Sequence, residues 1–290
     1  MEKTYKKEIK SYVKKARLKS GIVRGLIYFL AAISFISVAI IVVDVFIKGI
    51  PNLSLDMFAW TYTTENLSVT PAIVNTIILV LTSLLMAAPV GIISAIYINE
   101  YMNVNSPLRR PIRIASQTLA GIPSIIYGLF GNIFFVTFLG WKYSILAGAS
   151  TLAIMILPTI MTSTEESLMQ VADSQREASY GLGAKKLRTV FDVVLPPAIP
   201  GILSGIVLSI GRIVGETAAL LYTAGSHTVV PTSLMQPGRT LAIHMYLLST
   251  EGMHKGGAYA SGLILLILVF IINALSTRLA SWLSERSKNG

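Results

Sequence analysis

The sequence predicts an all-α polytopic membrane protein with six transmembrane helices. Three observations carry this: 53% of the 290 residues are hydrophobic against 13% charged, six apolar runs reach spanning length, and the basic residues fall in blocks between them. Soluble domains carry about 25% charged residues, and mean hydropathy here is +0.67. The formal charge of +10 would suit a nucleic-acid binder if gathered on one soluble face. Its confinement to segments between apolar runs encodes membrane topology instead, so nucleic acid is excluded as a partner and the lipid bilayer is expected. The absence of cysteine excludes a disulfide framework and a cysteine-based metal or redox site.

A spanning helix needs about 20 mostly apolar residues. The six runs cover residues 22–47, 72–98, 114–139, 143–163, 198–221 and 259–279. The first follows a basic segment, as a signal peptide would, but it is too long for one and shows no small-residue cleavage pattern before Lys48. Lys and Arg set the orientation. Nine lie between Lys3 and Arg24; Arg109, Arg110 and Arg113 precede the third run; Arg176, Lys185, Lys186 and Arg188 follow the fourth; Arg278, Arg286 and Lys288 close the chain. The opposite side receives only Lys48, Lys142, Arg239 and Lys255. Both termini are therefore expected on the cytoplasmic side of the plasma membrane. Trp60, Tyr62 and Trp141 on the outer side suit an aromatic belt or ordinary loop packing.

Residues 3–19 read as a solvated basic tail that fixes topology, with a lipid-seeking surface helix as the alternative. Pro89, Pro123 and Pro158 interrupt apolar runs and are expected to kink or unwind them, with Gly121-Ile122-Pro123-Ser124 as a hinge. Asn75 and Gln117 within spans are expected to bridge helices.

The connection over residues 164–196 is soluble in character. Thr164 is expected to cap a helix whose first turn carries Glu165 and Glu166. A glycine turn at Gly181 or Gly183, a second short helix over 184–194 and a stop at Pro196 complete a knob suited to a partner's groove.

Charge recurs inside the fifth run. Arg in mid-bilayer costs at least about 2.5 to 3.5 kcal/mol on insertion scales, so a lipid-facing Arg212 is excluded. At helical spacing Gly201, Ser204, Gly205, Leu208, Ser209, Arg212, Gly215, Glu216 and Ala219 share one sector, expected to face the protein interior. Arg212 and Glu216 read either as a structural ion pair or as part of a solute path, in which a planar guanidinium grips an oxyanion. Ser209 and Thr217 join that candidate path. His227, His244 and His254 are too irregularly spaced for a metal site and are expected to be exposed loop residues. The long outer loop over 222–258 holds a helix-like stretch at 239–248. No Gly-x-x-x-x-Gly-Lys-Ser/Thr loop is present, so the chain is expected to be no enzyme and to bind no nucleotide itself.

Glu177-Ala178-Ser179, then Gly183 and Val193-x-Leu195-Pro196, resembles the signature of binding-protein-dependent ABC permeases, with Ser179 and Val193 as mild departures. Gly211-Arg212-Ile213-Val214-Gly215-Glu216-Thr217 and the following Ala-Ala-Leu-Leu-Tyr-Thr resemble the PstA-type phosphate permease family. The resemblance implies a type I ABC importer fold moving inorganic phosphate by alternating access. It implies a coupling helix carrying Glu177, Ala178, Ser179, Gly183, Leu195 and Pro196. The partners it implies are a second homologous permease, an ATPase dimer using ATP and Mg, and an extracytoplasmic phosphate-binding protein. A permease for sulfate or molybdate is the alternative, and an ATP-independent secondary transporter a more distant one. The chain divides accordingly into a basic segment 1–21, a first helix and outer loop 22–70, a permease core 71–281 containing coupling segment 164–196, and a tail 282–290.

Overall fold

The computed structural model describes residues 2–103, 105–250, 252 and 254–289, with side chains described from 20 to 282 among these. Within them every regular element is helical. The long helices are α1 (Glu2–Gly49), α2 (Thr70–Ile96), α5 (Ile145–Met169), α8 (Leu195–Val214) and α11 (Lys255–Asn289). Shorter ones are α3 (Arg109–Ala120), α4 (Ser124–Gly131), α6 (Asp173–Gly181), α7 (Lys186–Thr189), α9 (Ala218–Leu221) and α10 (Leu241–Thr250). The side-chain readings of residues 3–19 and of the tail beyond Trp282 lie outside the described residues.

Among the described residues five helices are long and apolar enough to cross a membrane. The expected third span is broken: α3 and the helix formed by α4 with its π-helical extension Asn132–Phe138 meet at 100° across Gly121-Ile122-Pro123. Counted as one span they make six. Pro123 cannot continue α3, and the Tyr127 hydroxyl donates to the Leu119 carbonyl at 2.7 Å to close the elbow. Pro89 and Pro158 by contrast sit inside continuous helices. Neighbouring helices make such interior prolines tolerable.

The core lies where α2, α5 and α8 pack together, with Leu79, Leu152, Ile156 and Ile213 almost fully enclosed. Helix α5 is central; Ser144 caps it by accepting from the Ala147 N–H at 3.2 Å. The carbonyls of Gln236 and Leu234 accept from its Ile145 and Leu146 N–H groups, which have no partner within the helix. Asn75 bridges α2 to the outer loop by donating to the Val229 and Arg239 carbonyls, each at 3.2 Å. Helix α11 packs on α8, and α1 leans on α11 near Gly49, where a Cβ would lie 2.9 Å from the Tyr259 carbonyl oxygen. Over residues 20–41 α1 is largely apolar and exposed, as a lipid-facing helix must be.

Two local expectations are corrected. Helix α5 runs through residue 164 to Met169, so Thr164 does not cap a helix; its hydroxyl donates to the Ile160 carbonyl at 2.7 Å. Pro196 does not stop a helix but stands in the first turn of α8, where a missing N–H is harmless.

Candidate functional site: a groove and a projecting knob

The groove is a cavity of about 660 Å³ bounded by α5, α8 and α11 and lined by Thr159, Ser204, Leu208, Arg212, Asn273 and Thr277, among others. Arg212 lies in the last turn of α8, 17 residues and roughly 25 Å from the start of that helix. A cation is favoured at a helix C-terminus.

The sector expected to face inward divides. Gly201 and Gly205 pack against Ser167 and Ser163 of α5, with Ser163 donating to the Gly201 carbonyl at 3.0 Å. Ser204, Leu208 and Gly215 are exposed and Arg212 is half-buried. The apolar face carrying Ile202, Ile210, Ile213 and Val214 is what enters the core. Within a single chain the core must be apolar, so the polar stripe is left at the chain's edge.

Ser209 lies behind the groove rather than on it: it is fully buried and donates to the Gly205 carbonyl at 2.9 Å. Helix α8 ends at Val214, so Glu216 is not one turn above Arg212 on a shared helix. Among the described residues no ion pair or hydrogen bond engages Arg212. Glu216 is buried, and its Oε1 accepts from the Ala219 N–H at 3.2 Å, supporting α9. Thr217 is half-buried beside it. Helix α9 packs so closely on α4 that a Cβ on Gly128 would lie 2.8 Å from Ala219 Cα.

The knob consists of α6, a turn, α7 and a π-helical segment Val190–Val194 that continues into α8. Glu177 and Ala178 are exposed on α6. Gly183 has φ +83°, a conformation suited to glycine. Ser179 is buried, with its hydroxyl 2.9 Å from that of Thr189. Leu195 is half-buried and packs beside the cluster of Leu168, Val171 and Val194. At the tip Leu182 is 90% exposed, with Leu187 and Phe191 also open. An apolar surface on a soluble projection marks a docking face; the sequence reading passed over these three residues because their spacing is that of ordinary helix interior. It also passed over Glu100, which meets Arg176 at 2.8 Å.

His244 corrects the expectation of exposed histidines: it is fully buried, edge-on to Tyr62 at 5.8 Å between ring centroids. Among the described residues no group of three His, Cys, Asp or Glu is placed to hold a metal ion.

Among the described residues five continuous apolar spans, a broken span third in order and a knob between the fourth and fifth make the type I ABC importer permease fold. The permease of a bacterial alginate ABC transporter, solved with its alginate-bound periplasmic protein, superposes with TM-score 0.62 at 18% identity, over 91% of this chain and 94% of that one. The family of binding-protein-dependent transport system inner membrane components matches residues 87–288, and the chain belongs to it. A probable ABC transporter permease, YqgI of Bacillus subtilis, is 34% identical over 69% of this chain and 74% of that protein. The phosphate transport system permease protein PstA 2 of Mycobacterium bovis is 30% identical over 82% of this chain and 81% of that protein.

Proposed function

We propose that this chain is a permease subunit of an ATP-driven phosphate importer in the plasma membrane, with both termini cytoplasmic. It pairs with a second, homologous permease whose own groove completes the path. The knob around Glu177 and Gly183 seats on an ATPase dimer that uses ATP and Mg, and the outer loops receive a phosphate-binding protein. The PstA relative supports phosphate as the solute.

The observation that carries the reading is Arg212, a permanently charged guanidinium that lines the groove and has no acceptor among the described residues. A doubly acceptor-rich oxyanion supplies what it lacks. Glu216 is buried and its carboxylate is turned to the Ala219 N–H, which leaves the Arg212 donors to the anion. Alternating access then requires only that knob motion open the groove to one side and then the other.

Arg212→Gln in the reconstituted complex is expected to lower phosphate uptake by roughly ten to a hundredfold, the loss of about 1.5 to 3 kcal/mol of charge-assisted hydrogen bonding. Co-purification of the other subunits should be unchanged. Wild-type uptake by this variant removes Arg212 from the path.

A further inference from the structure

We propose that Arg176 is a positioning residue for energy coupling: through Glu100 it fastens α6 to the inner ends of α2 and α5, so that the three move as one body. This rests on the assignment of α6 as the element seated on the ATPase.

Arg176 immediately precedes Glu177, yet successive side chains leave a helix about 100° apart. Glu177 faces solvent. The Arg176 side chain turns inward and is 13% exposed. Its Nη2 donates to Glu100 Oε1 at 2.8 Å and to the Leu168 carbonyl at 2.9 Å. Its Nε donates to Glu100 Oε2 at 3.4 Å. Its Nη1 donates to the Val171 carbonyl at 2.6 Å and to Asp173 Oδ1 at 3.2 Å. The hydrogen bonds to Glu100 hold the Arg176 pKa above its ordinary value.

Each acceptor belongs to a different part of the machine. Leu168 is in the last turn of α5, where carbonyls lack partners within the helix. Glu100 lies in the π-helical turn Tyr97–Tyr101 that ends α2, with its side chain 5% exposed. Asn99 donates to Glu100 Oε1 at 2.9 Å and fixes the carboxylate further. Such π-turns recur at functional sites. Only a planar fork with five donors can serve these acceptors together.

A second anchor complements this one. The Ser179–Thr189 hydroxyl pair ties α6 to the segment that becomes α8. Helix α6 is thus fixed forward to α8, which carries Arg212, and backward to α2 and α5. Without the Arg176 anchor, α6 is free to swing about the extended backbone at Ala172, ψ 138°, leaving α5 behind. ATP would then be hydrolysed without the groove wall moving.

The test uses the full complex of this chain with its ATPase, second permease and phosphate-binding protein in proteoliposomes. ATP hydrolysed per phosphate transported is measured beside the yield of assembled complex. Glu100→Gln removes the charge and keeps the shape; it is expected to assemble within twofold of wild type and to raise ATP per phosphate at least tenfold. Glu100→Asp should return the ratio most of the way.

An unchanged ratio in Glu100→Gln overturns the proposal, whether uptake is normal or falls in step with hydrolysis or assembly. So does a Glu100→Gln complex that fails to assemble, which would make the pair a folding contact alone. Glu177→Lys separates the two levels of inference. If it alters neither ATPase retention nor the ratio, the coupling assignment of α6 fails and takes the proposal with it. If it alters either while Glu100→Gln changes nothing, only the role of Arg176 falls.

Discussion

Arg176 and Arg212 are the same residue type put to opposite uses. The one on the knob is saturated: two carboxylates and two carbonyls of its own chain accept from it. The one in the groove has no acceptor among the described residues and stands beside a cavity of about 660 Å³. A guanidinium whose donors are occupied can only hold structure. One whose donors are free keeps its full capacity for an incoming oxyanion. Glu216 could have neutralised Arg212, but the break of α8 after Val214 diverts its carboxylate to the Ala219 N–H. The contrast therefore comes from backbone geometry as much as from side-chain choice.

Breaking the contrast most directly means removing each arginine in turn and measuring stability. Arg176→Ala strands the buried Glu100 charge, and losing one partner of a buried pair costs about 3 to 5 kcal/mol. Arg212→Ala removes a side chain that contacts no acceptor and should stay within about 0.5 kcal/mol. Thermal unfolding of the detergent-purified protein reads both. Equal shifts would mean that Arg212 is as structural as Arg176.

The groove arginine was visible in the sequence because a charge within an apolar run contradicts its surroundings. Arg176 was not, because it sits among the other charges of a polar connection and its partner is 76 positions away. Counted only for topology, it looked like any positive-inside residue. The knob was legible from Gly183 and the Glu177 motif, but its start was not. Glu165 and Glu166 imitate a helix N-terminus, while burial of Thr164 and Leu168 against neighbouring spans carries α5 past them. The broken span was half legible, since proline announces a break and only packing decides which break occurs. Pro158 and Pro123 have the same chemistry; the first is enclosed by other helices and stays helical.

Two glycines sharpen the comparison at the next level. Gly205 faces α5, and a Cβ there would lie 2.5 Å from Ser163 Cβ, an atom with no freedom to rotate away. Gly205→Ala is expected to lose about 1 to 3 kcal/mol through overpacking and to move α8, with Arg212, off α5. Gly181 ends α6 with nothing within 4 Å of its would-be Cβ. Gly181→Ala should gain up to about 1 kcal/mol by relieving backbone entropy. Opposite signs in paired unfolding measurements confirm that the wall of the groove is tightly packed and the knob surface open. A neutral Gly205→Ala would show that α8 is free to shift on α5.

A third arginine gives the smallest effect. Arg239 is buried over the Tyr62 ring, 4.8 Å from its centroid, with Nε and Nη2 lacking acceptors. Neither ring nitrogen of its neighbour His244 has a well-formed hydrogen bond, and the Leu67 backbone beside it is only a weak partner. Burial first, and the Arg239 charge second, push the His244 pKa down to about 3. In the unfolded chain it titrates near 6.5. Above that value both states are neutral and the group contributes nothing. As pH falls below it, the unfolded chain gains a proton that the folded one refuses until about 3, so stability declines. The loss is about 1 kcal/mol between pH 7 and pH 5.5. His244→Phe, which fills the same site and cannot take a proton, should remove that increment from the acid slope of the unfolding temperature. An unaltered slope would place His244 in contact with water.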